Sequence, residues 1–159
     1  MISKGATVTD FTLPDQDDNP RRLGEFLATG HVALFFYPAA MTKGCTAQSC
    51  HFRDLMAEFR ELDAHRVGIS ADAPRKQKQF AHTNDFDFPL LSDPDRKIAR
   101  RFGAFRKLMP GPLATKRATF VIGTDWRVLD VIANEFSMTI HADQALETLR
   151  AHTQGGTGR

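Results

Sequence analysis

Apolar residues fall in short blocks separated by polar turns, and the densest block is Val32–Tyr37, VALFFY. A continuous run of β-formers of this length predicts a buried strand. Pro38 ends it by removing a ladder donor. Phe52, Leu55, Met56, Phe59 and Leu62 then recur at helical spacing, which predicts one face of a single helix. That helix has room to begin near Thr42 to Cys45. Upstream, residues 10 to 23 read as two short strands around a turn rich in Asp, Asn and Pro. Leu23 to Thr29 follows as a short helix or an irregular segment, closed by Gly30.

The pattern continues downstream. Arg66 to Ser70 predicts a strand, Ala73 to Thr83 a helix with Pro74 in its first turn, and Phe88 to Leu91 another strand. Pro94 to Phe102 reads as a short helix closed by Gly103, and Met109 to Ala114 as an irregular Pro/Gly loop. Ala118 to Ile122 and Arg127 to Ala133 are strands joined by Gly123–Trp126, a hairpin signal. Ala142 to Ala151 is a last helix, and Thr153 to Arg159, rich in glycine, is expected to be a flexible tail. Strands alternating with helices imply an α/β protein with a parallel-type sheet covered on both faces. The late hairpin makes that central sheet mixed.

Composition narrows the class. A chain of 159 residues with 42% hydrophobic and 25% charged residues fits one soluble globular domain, assigned to residues 1 to 152. No apolar run is long enough for a membrane span. MISKGATVTDF lacks a basic n-region and an apolar h-region, so no secretory signal is expected. Two cysteines without such a signal point to a reducing compartment, taken as the cytoplasm. A net charge of +2 calls for neither nucleic acid nor an anionic surface as partner.

The candidate chemistry is in the cysteines. Cys45 is expected in or beside the first turn of the helix that follows the central strand. Unpaired N–H groups and the positive end of the helix dipole favour a thiolate there, and Lys43 adds a nearby cation. The same position also suits an inert thiol packed at a helix start. Cys50 lies five residues on. In a helix this separates the two by about 7.5 Å along the axis and about 140° around it. Their Cα atoms are then beyond disulfide reach. If the first turns unwind, the two sulfurs can meet, so the pair offers a two-state redox device. The C-x4-C spacing matches neither C-x-x-C redox motifs nor zinc ribbons. His51 has no second Cys/His pair at ligand spacing, which argues against a metal site. The other histidines are expected to be solvated. Phe35, Phe36, Tyr37, Phe52, Phe59, Phe102 and Phe105 are expected in the core or lining a pocket.

Pro38-x3-Thr42-x2-Cys45, directly after VALFFY, resembles the peroxiredoxin active-site motif. The continuation Cys45-Thr46-x3-Cys50-His51-Phe52-Arg53-Asp54 is similar to the bacterioferritin comigratory protein subfamily, also called peroxiredoxin Q. So are Asp10-Phe11-Thr12-Leu13-Pro14-Asp15-Gln16-Asp17, Phe88-Pro89-Leu90-Leu91-Ser92-Asp93-Pro94 and Arg117-Ala118-Thr119-Phe120-Val121-Ile122, in the right order. The resemblance implies a thioredoxin-like α/β fold, which the element order also matches. It implies a thiol-dependent peroxidase acting on hydrogen peroxide and organic hydroperoxides. Cys45 would attack the peroxide and become a sulfenic acid. The Thr42 hydroxyl, the Cys45 backbone N–H and the Arg117 guanidinium would stabilise the oxygens, with Pro38 shielding the sulfur. Cys50 would resolve the sulfenic acid within the chain, and a thioredoxin-type dithiol would reduce the disulfide. The resemblance leans toward a monomer and calls for no metal, flavin or haem. Two departures stand out. Lys43 occupies a usual proline position, and Gln48 a usual glutamate position. A redox sensor and a thiol–disulfide oxidoreductase are the alternative uses of the same cysteine pair.

Overall fold

The computed structural model describes residues 1–157. A small antiparallel ribbon, β1 (Thr12–Pro14) and β2 (Pro20–Arg22), leads into α1 (Leu23–Leu27) and the central strand β3 (His31–Phe36). After β3 come α2 (Lys43–Asp54), α3 (Met56–Glu61) and β4 (Ala64–Ser70). Then follow α4 (Pro74–Thr83), β5 (Leu90–Ser92), α5 (Lys97–Phe102), β6 (Ala118–Ile122), β7 (Val128–Ala133) and α6 (Ile140–Thr157). The main sheet has the order β5-β4-β3-β6-β7. β3 pairs parallel with β4 and antiparallel with β6, so the sheet is mixed, as the alternation and the hairpin predict.

β3 is buried on both faces, which explains its unbroken apolar run. Side chains alternate across a strand. Val32, Leu34 and Phe36 therefore pack with Leu23 and Phe26 of α1 and Ile98 and Phe102 of α5. Ala33, Phe35 and Tyr37 pack on the other side with Phe52, Phe59, Phe80 and Leu149. Phe35 stacks on Phe52 with ring centroids 4.2 Å apart, which seats α2 directly against the central strand. Such an aromatic pair contributes about 0.5–1.5 kcal/mol beyond its area burial.

Several local differences have identifiable causes. The face from Phe52 to Leu62 is split at Leu55 into α2 and α3. In a continuous helix the Phe52 carbonyl would face the N–H of Met56. Here it accepts from Nη1 of the buried Arg66 at 2.9 Å. The helix expected from Pro94 starts at Lys97, because the Asp93 carboxylate takes the N–H groups of Ile98 and Ala99. Gly103 closes that helix at φ +78°, a left-handed conformation that glycine adopts without steric cost. The Met109 to Ala114 stretch contains a 3₁₀ turn at Gly111–Ala114, held by Arg96 Nη2 on the Gly111 carbonyl at 2.8 Å. α6 begins two residues earlier than expected and runs to Thr157, so helix occupies most of the expected tail. Residues 158–159 of that tail lie outside the described residues. Among the described residues no helix is long and apolar enough to cross a membrane.

The pairing of β3 with β6 matters most for chemistry. Phe36 lies opposite Ala118. The last residue of one strand therefore meets the first of the other, since they run antiparallel. Whatever follows β3 and whatever precedes β6 are brought to the same end of the sheet. The first includes Cys45 and the second is Arg117.

Candidate active site

The loop from β3 to α2 is pinned by a buried polar chain. Tyr37 Oη donates to Gln77 Oε1 at 2.5 Å, and Gln77 Nε2 donates to Ser70 Oγ at 2.9 Å. Ser70 Oγ donates to Asp72 Oδ2 at 2.7 Å, and the same oxygen accepts the Ala40 N–H at 2.6 Å. Burial pushes the Tyr37 phenol far above its ordinary range, so it stays a neutral donor. Met41 then turns through φ +68°, and α2 begins. Pro38 is half-buried immediately after the strand.

Thr42 occupies the N-cap position but makes no side-chain cap bond. Its Oγ1 donates to the Ala39 carbonyl at 2.7 Å and closes the loop. A hydroxyl has one proton, so this oxygen keeps only acceptor capacity toward anything in the pocket. The expected Thr42 donor is absent from this arrangement.

Cys45 sits in the first turn of α2, is fully buried and is a free thiol. Arg117, also buried, brings Nη1 to 3.5 Å from its sulfur and 2.6 Å from Gln48 Oε1. Gln48 is one helical turn after Cys45 and equally buried. Gly44 leaves room for this approach, since a Cβ there would lie a tight 3.2 Å from Arg117 Nη2. Lys43 is exposed. The cation on the sulfur is thus Arg117, 72 residues away in sequence.

Two groups behind the guanidinium are invisible to motif reading. Glu135 Oε2 accepts the Arg117 backbone N–H at 3.1 Å and pairs with Arg106. His141, expected to be solvated, is completely buried. Its Nε2 lies 2.8 Å from the Asn134 carbonyl and its Nδ1 2.8 Å from Thr119 Oγ1. A carbonyl only accepts, so Nε2 carries the proton and Nδ1 accepts from the threonine. No sequence signal marks either residue. Their importance comes from the β6–β7 register and the start of α6.

Burial, ahead of the nearby Arg117 charge, holds His141 below the ordinary histidine range, against the Asn134 bond and Glu135. The sign of the pH effect follows. As pH falls through about 6.5 the unfolded chain takes up the proton first, so stability is complete above that pH and declines below it. His31 and His65 are lowered by burial too and act in the same direction. We expect the urea midpoint to fall between about pH 7 and pH 5. The decline should be shallower in a His141→Gln variant, checked by urea melts at both values.

Cys50 lies on another face of α2, half-buried, with Sγ 3.7 Å from Asn84 Oδ1. Burial pushes its thiol up, opposed by Arg53. The adjacent His51 bonds Asp143 of α6 at 2.7 Å. Cys45, Gln48 and Arg117 are therefore gathered with Thr42 and Pro38 at the nearby loop, while Cys50 is held apart in the intact helix.

A buried reduced thiol opening a helix after the central strand, on this mixed sheet, defines a thioredoxin-like thiol protein. The model of the AhpC/TSA family matches residues 5–131. A crystal structure of the peroxidoxin BcpB of Mycobacterium tuberculosis superposes with a TM-score of 0.91 at 58% identity, over 95% of this chain and 98% of that one. Peroxiredoxin Bcp of Escherichia coli is 35% identical over 95% of this chain and 97% of its own length. Chloroplastic peroxiredoxin Q of Sedum lineare is 37% identical over 94% and 79%. The chain belongs to the AhpC/TSA family, in the branch of the bacterioferritin comigratory proteins and peroxiredoxins Q.

Proposed function

We propose that this protein is a thiol-dependent peroxidase in which Cys45 is the peroxidatic and Cys50 the resolving residue. The observation that carries the reading is the Arg117 guanidinium 3.5 Å from the buried Cys45 sulfur. A guanidinium stays charged and presents several fixed donors, which stabilises a thiolate and then the negative charge that spreads onto the peroxide oxygens. The thiolate attacks one oxygen in line with the O–O bond. That bond breaks, the second oxygen leaves as hydroxide or alkoxide, and Cys45 becomes a sulfenic acid. The Cys45 backbone N–H supplies a further donor. Thr42 Oγ1, its own proton committed to Ala39, accepts the peroxide O–H and orients the substrate. Pro38 walls the pocket against water.

The second step needs α2 to open, because an intact helix keeps the sulfurs apart. The Cys50 thiolate attacks the sulfenic sulfur, hydroxide leaves, and a Cys45–Cys50 disulfide forms. Burial holds the Cys50 thiol up in the folded helix, and unwinding removes that burial and frees the thiolate for this step. A thioredoxin-type dithiol returns the disulfide to two thiols and is itself oxidised. Hydrogen peroxide and organic hydroperoxides are both substrates of this scheme. Both cysteines belong to one chain, so the cycle runs in a monomer, in a reducing compartment such as the cytoplasm.

The test is one equivalent of hydrogen peroxide on the reduced protein, followed by peptide mass mapping. An intramolecular Cys45–Cys50 disulfide that thioredoxin reverses is expected. A Cys50→Ser variant should consume one equivalent and stop with Cys45 as sulfenic acid, a second equivalent taking it to sulfinic acid. A wild-type product with oxidised Cys45 and free Cys50 would remove Cys50 from the cycle.

A further inference from the structure

Arg66 of β4 is a buried cation that takes no part in the peroxide chemistry. A buried charge needs partners, and this one is fully engaged. Nη1 donates to Asp87 Oδ1 at 2.9 Å and Nη2 to Asp87 Oδ2 at 2.5 Å, so the fork is fixed. Arg60 of α3 reaches the same carboxylate at 3.3 Å. The Phe59 and Phe88 rings lie 5.9 and 5.1 Å from the guanidinium carbon. Nη1 also donates to the Phe52 carbonyl at 2.9 Å, just before the junction of α2 and α3.

That carbonyl belongs to a set of fastenings on the second half of α2. The Phe52 ring stacks on Phe35 of β3. Arg53 Nη1 donates to the Asn84 carbonyl at 2.8 Å, and Cys50 Sγ lies 3.7 Å from Asn84 Oδ1. His51 Nε2 lies 2.7 Å from Asp143 Oδ1 of α6. Residues 50–53 are thus tied to two strands, to α6 and to the end of α4. The first half of α2 is tied differently. Cys45 and Gln48 bond a single side chain, Arg117. Gln48 Nε2 and Ser49 Oγ are buried without a partner among the described residues. Unwinding residues 43–49 carries these two groups into water, where they gain the bonds they lack.

We propose that Arg66, held by Asp87, is a positioning residue that stops the unwinding of α2 at Phe52, so that Cys50 stays in place and Cys45 travels to it. This rests on the reading of Cys50 as the resolving residue. Once residues 43–49 unwind, the remaining turn of α2 is too short to stay helical on its own. The bond from Arg66 to the Phe52 carbonyl anchors that turn to the sheet. Without it the turn and α3 loosen together, and Cys50 loses its fixed approach to the Cys45 sulfur.

The experiment compares amide hydrogen exchange in the reduced form and in the disulfide form made with diamide. In the parent, residues 43–49 should exchange at least about tenfold faster in the disulfide form, while residues 53–62 agree between the two forms within about threefold. An Arg66→Met/Asp87→Asn variant removes both charges together. In it, residues 53–62 should exchange at least about tenfold faster in the disulfide form than in the reduced form. A role in stability alone would speed exchange equally in both forms, so a variant with the parent ratio overturns the proposal. A parent whose disulfide form loses protection through residues 53–62 overturns it as well, and that arm needs no variant to fold. So does a parent that forms no Cys45–Cys50 disulfide with diamide. Diamide oxidises two thiols without peroxide. A parent that shows the expected exchange pattern yet consumes no peroxide would therefore defeat the peroxidase reading and leave the role of Arg66 intact.

Discussion

A Cys45→Ser variant is expected to consume hydrogen peroxide no faster than buffer and reductant alone. The loss should be on the order of 10⁴-fold or more, the scale reached when a covalent nucleophile is removed. A serine hydroxyl does not ionise near neutral pH, and its oxygen is a poor nucleophile toward a peroxide oxygen. The reaction therefore loses both the anion and the soft atom that it needs. Shape changes little, since serine replaces one sulfur by a smaller oxygen at a fully buried position. The new hydroxyl can still accept from Arg117, so we expect stability within about 2 kcal/mol of the parent. Peroxide consumption in a thioredoxin-coupled assay is the readout, with a circular dichroism melt to confirm folding. Residual turnover of a tenth of the parent rate would show that another thiol carries the reaction.

The second large effect is expected at Arg117. Arg117→Ala removes the donor 3.5 Å from the sulfur and should lower the second-order rate constant for peroxide by about 10²–10³-fold, as loss of one oxyanion donor does. It also leaves Gln48 Oε1, now bonded at 2.6 Å, without a partner in a buried site. Arg117→Lys keeps a charge but concentrates it on one atom and cannot hold the sulfur and Gln48 from the same fork. It should fall between the parent and the alanine variant. Stopped-flow peroxide oxidation of each reduced variant measures the series. An alanine variant within about threefold of the parent would take Arg117 out of the chemistry.

These two residues differ in how far the sequence exposes them. The place of Cys45 is legible from local pattern. A buried strand, a breaking proline and a helical face put the helix start near it, while its role as nucleophile rests on the resemblance. Arg117 is not legible this way, because nothing local separates it from the other arginines. It was found through the resemblance of the block beginning Arg117-Ala118-Thr119-Phe120, and it meets Cys45 only because β3 and β6 pair antiparallel with Phe36 opposite Ala118. Glu135 and His141 are marked by neither pattern nor resemblance. A glutamate in a polar loop and a histidine at a helix start look like surface residues. Their burial and bonding arise from the return of the chain after β7.

The same division runs through the fold. Hydrophobic period and turn residues determined the element order, the double-sided burial of β3, the late hairpin and the start of α2 near Cys45, since all of these depend on neighbours a few residues apart. Tertiary contacts decided the break at Leu55, where Arg66 takes the Phe52 carbonyl. They also decided that a neutral Gln48 holds the guanidinium. Local side-chain bonds, which hydrophobic period does not record, set the start of α5 through the Asp93 carboxylate and turned the Thr42 hydroxyl to Ala39. In each case a polar group had more than one possible hydrogen-bond partner. Sequence spacing records which groups are near along the chain. Only the packed sheet determines which of them meets the bond.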